Sequence, residues 1–264
     1  MRRRFFVEGF ANGVAVLRGE TAHHLGRVLR AEPGQLYELS DGESVWLART
    51  DSVDREEVHF SLVESLPVDV SPVKITLLLA IVKFDRFEWA IEKATELGAD
   101  EIVPLAAGRS EKGLLAAAVK RAARWERILL ESAQQARRLR VPVLGEVANP
   151  KDAFRTVKAQ VRIMLSERAR ACVMRDLLEP VAEGDRGHEA KTIAIAIGPE
   201  GGWTDAEFSE CKSGGFAEAA LGSNILRTET AVCAALAAVQ YALGASRRGK
   251  DAEHQQSEAR QEQA

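Results

Sequence analysis

The sequence has few cysteines and lacks the motifs that most often identify a catalytic centre. Its 264 residues include three cysteines, Cys172, Cys211 and Cys233, with no CxxC among them. This spacing argues against a disulfide framework or a structural zinc site and fits the reducing cytoplasm. No HExxH or comparable histidine–cysteine cluster is present, so we expect no catalytic metal. A GxSxG motif is also missing, which argues against a hydrolase with a nucleophile elbow.

The common phosphate-binding and membrane-associated sequences are missing too. There is no GxxxxGK[ST], and no GxGxxG follows the first strand of the α/β part, which argues against a P-loop, a Rossmann dinucleotide site and a Rossmann-type methyltransferase. The first residues are basic, but Glu8 and Gly9 interrupt any apolar stretch after them. We therefore expect no signal peptide, and we expect no membrane span because no apolar run is long enough.

Charge is unevenly distributed along a chain whose total charge is small. The net charge is -3, and the pI is about 6.0. Residues 109–140 nevertheless contain nine Lys or Arg against three Glu, and residues 1–30 contain six Arg against two Glu. Two basic regions on a mildly acidic chain are either binding surfaces for a polyanion or solvated faces, and charge alone leaves both open.

The hydrophobic pattern divides the chain near residue 70. Residues 1–70 contain short β-like runs separated by turn signals such as Pro33-Gly34 and Asp41-Gly42, with one helical stretch at Thr21–Leu29. This pattern predicts a small β-barrel or sandwich. Residues 66–72 resemble a linker, and residues 246–264, which are rich in Gln and carry four acidic and four basic residues, are predicted to be disordered.

After Pro72, strand-like and helix-like stretches alternate, which predicts an α/β fold with a parallel sheet over residues 73–245. The predicted strands are 75–82, 101–105, 141–147, 161–165, 192–197 and 217–221. The predicted helices are 85–97, 114–138, 172–178, 204–212 and 229–243, and Thr204 and Glu207 match a capping box at the start of one of them.

Two glycine-containing loops in the last third of the chain are its most informative feature. The apolar strand Ile193–Ile197 runs into Gly198–Trp203, and a second apolar strand runs into Leu221–Leu226. Loops at the carboxyl ends of parallel strands form pockets for small ligands, and glycine allows backbone to approach a ligand closely. We therefore predict a ligand site at these two loops.

Several further segments, taken with these loops, resemble one family. In chain order the matching segments are Met1–Val7, His23–Arg30, Lys83 with Asp85–Arg86, Glu92–Gly98, Arg124–Ile128, Gln135 with Arg138, Val141–Pro142 and the two glycine loops. Together they are similar, over nearly the whole chain, to the RsmE-type ribosomal RNA small-subunit methyltransferases, which are enzymes of the SPOUT class.

The resemblance implies a fold and an activity that spacing does not give. It implies a PUA-like RNA-binding β-barrel over residues 1–70, followed by a SPOUT methyltransferase domain with a C-terminal trefoil knot, an exception to unknotted topology. It further implies a homodimer that uses S-adenosyl-L-methionine to methylate N3 of one uridine in 16S rRNA (position 1498 in the standard rRNA numbering), within the 30S subunit.

The resemblance also assigns roles to residues. The cofactor-binding residues it implies are Leu165, Glu167, Ile197, Gly198, Pro199, Glu200, Gly201, Gly202, Leu221, Gly222, Ser223, Ile225 and Leu226. Arg227 and Glu229 are the implied catalytic residues: Arg227 would stabilise negative charge on the uracil, and Glu229 would accept a proton or orient Arg227. An ion pair between these two that caps the last helix is the structural alternative. The implied RNA contacts are Arg3, Arg4, His24, Arg27, Arg30, Lys83, Arg86, Arg109 and Arg138.

Two departures from the family's usual sequence are present. Ser223-Asn224 replaces Pro-Arg, which removes a cation from the second glycine loop, and Ala136-Arg137 replaces Ser-Gly, which adds a charge near the expected RNA path. Two other functions stay open on the sequence alone: a SPOUT methyltransferase with a different RNA target, and a non-catalytic RNA-binding factor for ribosome assembly.

Overall fold

The computed structural model describes residues 3–68, 70–168, 171–183 and 190–244. The predicted disordered tail, residues 246–264, lies outside these ranges. The chain forms two compact units, one of Met1–Val70 with Arg121–Val143 and one of Ser71–Lys120 with Leu144–Ala264. The first division near residue 70 was expected, whereas residues 121–143 were predicted within the α/β part and are found in the first unit.

Twelve strands and eight α-helices are seen in the described residues. The strands are β1 (Arg4–Phe6), β2 (Val14–Arg18), β3 (Leu36–Ser40), β4 (Val45–Val53), β5 (Glu57–Leu66), β6 (Val73–Ala80), β7 (Glu101–Leu105), β8 (Val143–Leu144), β9 (Val161–Leu165), β10 (Cys172–Val173), β11 (Lys191–Ile197) and β12 (Ala217–Ala220). The helices are α1 (Gly19–His23), α2 (Phe84–Glu96), α3 (Lys112–Ala118), α4 (Ala122–Gln135), α5 (Pro150–Thr156), α6 (Met174–Glu183), α7 (Asp205–Ser213) and α8 (Thr228–Leu243).

The first unit is built on a five-stranded mixed sheet. Its strand order is β1-β3-β4-β5-β2, which forms a curled half-barrel with β1 parallel to β3 and the other pairs antiparallel. Phe5, Leu39 and Phe60 are fully buried on one side of it. Helix α1 begins at Gly19 with Arg18 at its N-cap and continues into a π-helical turn at His24–Val28, so the helix predicted from Thr21 starts two residues earlier.

The second unit is the predicted parallel α/β sheet. Its strand order is β10-β12-β9-β11-β6-β7-β8, and each strand pair with a stated register is parallel. Strands β6 and β11 lie at its centre, with Ile75 opposite Ile193, and most of their residues are apolar and buried. This is the composition expected of strands that helices cover on both faces.

Several predicted elements differ from those observed. The helix predicted at residues 114–138 is two helices, α3 and α4, joined by a 3₁₀ turn at Val119–Arg121, because its halves belong to different units. The strand predicted at 141–147 spans only β8. The helix predicted from Cys172 begins at Met174, since Cys172 and Val173 pair with the edge of β12. Helix α5 was not predicted.

Candidate active site

The three predicted cofactor segments meet at one edge of the parallel sheet. Strands β12, β9 and β11 are neighbours, so the loops that follow their carboxyl ends lie side by side. They enclose a cavity of about 770 Å³. All thirteen residues that the resemblance implied for cofactor binding line it: Leu165, Glu167, Ile197, Gly198, Pro199, Glu200, Gly201, Gly202, Leu221, Gly222, Ser223, Ile225 and Leu226.

The loop after β11, residues 198–203, packs closely on its own tryptophan. A Cβ added to Gly198 would lie 3.0–3.2 Å from atoms of the Trp203 ring, so a larger residue does not fit without a shift. Trp203 is buried and donates from Nε1 to the Leu165 carbonyl at 3.0 Å, which joins this loop to the end of β9. Gly202 has φ of +71°, a conformation that favours glycine. Thr228 at the start of α8 donates to the Gly198 carbonyl at 3.0 Å.

Two arginines that were predicted to contact RNA are bound to this same loop. Arg109 donates from Nη1 to the Gly201 carbonyl at 2.7 Å. Arg86, near the start of α2, forms an ion pair with Glu200. The Arg86 Nε atom also lies 4.0 Å from Oε1 of Glu229. The structure therefore gives both arginines partners inside the protein, and a phosphate contact by either stays a prediction.

The loop after β12, residues 221–226, makes fewer stabilising contacts than the loop at 198–203. No hydrogen bond within the described residues engages its backbone amides from Gly222 to Leu226. The Ile225 side chain is 76% exposed although it is apolar and lines the cavity. Ser223 and Asn224, which stand where the family often has Pro-Arg, are exposed as well. This wall of the cavity offers unpaired backbone groups and apolar surface to a ligand.

A third wall contains residues that sequence reasoning missed. Arg168 lies 3.4 Å above the centre of the Phe208 ring and donates to Asp205 at 2.6 Å. Asp205 and Phe208 are three residues apart on α7, so they share one face of that helix. The predicted capping box of α7 is confirmed, with Thr204 and Glu207 bonded to each other's backbone. The capping box indicated where α7 begins, but nothing local indicated that Arg168 would lie over it.

Arg227 and Glu229 lie beside the cavity rather than in its lining. Arg227 is exposed at the N-cap of α8 and forms no ion pair with any described residue. The predicted alternative, an Arg227–Glu229 pair, is not found in the part of the chain that the structure describes, since the carboxylate of Glu229 faces Arg86 instead. Its other oxygen, Oε2, is buried and accepts no hydrogen bond from the described residues.

The remaining predicted RNA contacts fall into three groups. Arg4 donates to Glu38, which also pairs with Arg137, so Arg4 is part of an internal cluster of the first unit. His24 and Arg138 are half-buried. Four cations are exposed and form no ion pair with the residues described here: Arg3, Arg27, Arg30 and Lys83.

The charge that Arg137 adds has a partner within the first unit. Its φ is +52°, in the left-handed region, which explains why glycine is usual at this position. Its guanidinium lies 3.3 Å from Oε1 of Glu38, a buried carboxylate. The added charge of Arg137 therefore has a carboxylate partner within its own unit, and its proximity to RNA stays a prediction.

Two of the three thiols, Cys211 and Cys233, are held toward their protonated form by burial. Burial raises the pKa of Cys211 to about 12, with the nearby Glu218 carboxylate adding to the effect, so this thiol stays protonated at neutral pH. Burial also raises the pKa of Cys233. Among residues 3–68, 70–168, 171–183 and 190–244, no cluster of three or more His, Cys, Asp or Glu is placed to hold a metal ion. Within the same ranges, no helix is both long and apolar enough to cross a membrane.

Comparison with known proteins places this fold and cavity in a class. A family model described as an RNA methyltransferase domain matches residues 69–240, which include every loop of the cavity. A ribosomal RNA small subunit methyltransferase E of Synechocystis is 33% identical over 84% of this chain and 71% of its own length.

Two solved structures show the same architecture. A ribosomal RNA small subunit methyltransferase E from Neisseria gonorrhoeae, bound to S-adenosyl methionine, is 30% identical, with a TM-score of 0.80 over 92% of this chain and 99% of its own. A Legionella pneumophila protein, solved in complex with the same cofactor, is 29% identical, with a TM-score of 0.81 over 93% of this chain and 100% of its own.

The fold and the cavity define an RNA methyltransferase of the SPOUT class. Within that class, the chain belongs to the ribosomal RNA small subunit methyltransferase E family.

Proposed function

We propose that this protein transfers a methyl group from S-adenosyl-L-methionine to N3 of a uridine in 16S rRNA. The observation that carries the proposal is the meeting of three loops, after β9, β11 and β12, around one cavity at the carboxyl edge of a parallel sheet. The family match spans these loops. The proposal includes the trefoil knot of the SPOUT class, formed by the same segments.

The residues of the cavity fit S-adenosylmethionine. The volume of about 770 Å³ suits a molecule of this size. Ile197, Ile225 and Leu226 provide apolar surface for the adenine faces, and the unpaired amides of Gly222–Leu226 provide hydrogen bonds for its edges. The absent side chain of Gly198 lets this loop pack directly against the Trp203 ring. When bound, the cofactor supplies an electrophilic methyl group on a sulfonium.

The chain's own residues must prepare the nucleophile. Uracil N3 carries a proton at neutral pH, so the site has to accept that proton or stabilise the uridine anion, and a positioned base contributes on the order of 10²–10⁴-fold. Arg227 is suited to stabilise charge on a uracil carbonyl because its guanidinium is exposed, has no carboxylate partner among the described residues and follows Leu226 of the cavity wall. Glu229 has one oxygen facing Arg86, so the role of orienting Arg227 is not supported.

RNA binding is assigned to the exposed cations. Arg3, Arg27 and Arg30 in the first unit and Lys83 in the second have charges that no described residue neutralises, which is the property expected of phosphate contacts. The first unit would serve as the PUA-like RNA-binding domain. We further propose a homodimer that acts on the 30S subunit in the cytoplasm.

A methyl-transfer assay tests this function. Purified protein and labelled S-adenosylmethionine are incubated with 30S subunits that lack the modification, and the product is identified by nucleoside mass spectrometry. We expect label in 3-methyluridine, with a rate at least about tenfold lower for Arg227→Ala if the guanidinium stabilises the transition state. Label in another nucleoside would show that the protein is a methyltransferase with a different target. If the protein bound both S-adenosylmethionine and 30S subunits but transferred no label, the result would contradict an enzymatic function and favour a non-catalytic assembly factor.

A further inference from the structure

We infer that Arg86 and Arg109 are positioning residues that hold the loop Gly198–Gly202 in its cofactor-binding shape. They reach the loop from the ends of two neighbouring strands, since the chain enters α2 after β6 and continues past β7 toward Arg109. Consecutive residues of the loop, Glu200 and Gly201, are their partners. The inference rests on the proposed function, because it assigns the loop to the cofactor.

Arg109 contacts the backbone of the loop at Gly201 and packs closely against this glycine. Its guanidinium donates to the Gly201 carbonyl at 2.7 Å. A Cβ on Gly201 would lie 3.3 Å from Cβ and 3.5 Å from Cδ of Arg109, so the arginine stem occupies the side where this glycine has no side chain. The position of Arg109 is itself fixed, since Glu207 of the α7 capping box accepts from the Gly108 amide at 2.8 Å.

The Arg86 contact acts through a side chain of the loop. Arg86 pairs with Glu200, and its Nε lies 4.0 Å from Glu229 at the start of α8. Two carboxylates from different segments therefore share one guanidinium, whose planar fork suits such bridging. The Arg86 side chain is only 27% exposed, which leaves less of it accessible to RNA than a surface cation offers.

The loop needs such restraints because of its composition. Three of the residues 198–202 are glycines, and glycine loses more conformational freedom on ordering than any other residue. The cation of Arg109 and the ion pair of Arg86 restrict the middle of the loop, while Trp203 and Thr228 hold its two ends. A loop held in this way binds a ligand without first being ordered.

The test compares cofactor binding with RNA binding. Titration calorimetry with S-adenosylhomocysteine and filter binding of 30S subunits are done on the full chain and on Arg86→Met, Arg109→Met and Lys83→Met. We expect each arginine variant to weaken S-adenosylhomocysteine about tenfold, as for one charge-assisted hydrogen bond, and to change 30S affinity less than about twofold. Lys83→Met is the matched control, because its exposed cation has no described partner: it should weaken only 30S binding.

A ligand-free measurement separates this inference from the proposed function. Hydrogen exchange of the amides in residues 198–203 should be faster in both arginine variants and in Glu200→Gln, which removes the carboxylate but leaves Arg86 in place. The conservative variant Arg86→Lys, which keeps a cation between Glu200 and Glu229, should exchange more slowly than Arg86→Met. Unchanged exchange and S-adenosylhomocysteine affinity, with weaker 30S binding, would overturn the inference and make both arginines phosphate contacts. Wild-type protein that binds no S-adenosylhomocysteine would refute the proposed function, while the exchange result would still decide whether the arginines hold the loop.

Discussion

The two glycine loops of the cavity are alike in sequence position and unlike in how they are held. Both follow apolar parallel strands and precede helices. The loop at 198–203 is bound by Arg86, Arg109 and Thr228 and packs on its own Trp203. The loop at 221–226 has no backbone amide hydrogen-bonded from residue 222 onward among the described residues, and its Ile225 is largely exposed.

This difference indicates that the two loops contribute to ligand binding in different ways. The first loop is ordered by the protein, so a ligand meets a prepared surface there and does not bear the ordering cost. The second loop keeps unpaired donors and apolar surface, so it gains its partners from the ligand. Changes in the first loop should therefore affect stability and binding together, and changes in the second should affect binding alone.

Gly198→Val should have the largest effect on both properties. The new side chain would meet the Trp203 ring at 3.0–3.2 Å, and overpacking of this kind costs about 1–3 kcal/mol. We expect a lower free energy of unfolding in chemical denaturation and loss of S-adenosylhomocysteine binding in calorimetry. Gly113→Ala, in α3 where a Cβ meets nothing within 4 Å, is the control and should raise stability by about 0.5–1 kcal/mol. Wild-type stability for Gly198→Val would show that the first loop is not rigid.

Trp203→Phe should have an intermediate effect. It removes the indole N–H that the Leu165 carbonyl accepts in a buried position, and a lost partner of this kind costs about 1–3 kcal/mol. The free energy of unfolding should fall by that amount, measured by urea denaturation. Trp89→Phe, at a side chain that is 44% exposed, should change it by less than about 0.5 kcal/mol. Equal losses of unfolding free energy in the two variants would mean that the hydrogen bond between the loop and β9 does not stabilise the fold.

Ile225→Ala should have the smallest effect on stability and a clear effect on binding. Because the side chain is 76% exposed, the free energy of unfolding should change by less than about 0.5 kcal/mol. Affinity for S-adenosylhomocysteine should fall about three- to tenfold, since the ligand loses apolar contact. Val119→Ala, at a residue 74% exposed outside the cavity, should alter neither quantity. A destabilised Ile225→Ala with unchanged affinity would reverse the contrast between the loops.

Much of the site's framework was predictable because it is encoded locally. Largely apolar segments in the alternation of strands and helices predicted the strands 101–105 and 161–165 with the observed bounds, and Thr204 with Glu207 marked the start of α7. Helix α5 also has a local signal in the sequence: Asn149 caps it and Pro150 occupies its first turn, a common N-terminal pattern.

The roles of the arginines were not predictable in the same way. Arg86 finds Glu200 and Arg109 finds Gly201 only after the sheet has placed their loops together, so no local pattern indicates these partners. For the same reason the sequence did not indicate that Arg4 and Arg137 both pair with the buried Glu38. The sequence shows which residues carry a charge, whereas the fold determines which residue each charge pairs with.

The strand order also constrains how the protein folds during synthesis. Strand β11 lies between β9 and β6, both of which precede it in the chain, and its first residue, Lys191, pairs with Val73. The β6 edge that β11 will occupy is therefore exposed while the ribosome makes the intervening residues. Long-range parallel pairing of this kind closes slowly, and an unpaired apolar strand edge is prone to aggregation. Translation past residue 197 is thus the step that first permits β6, β11 and β9 to pair, and the cavity also requires β12 and the loop at 221–226.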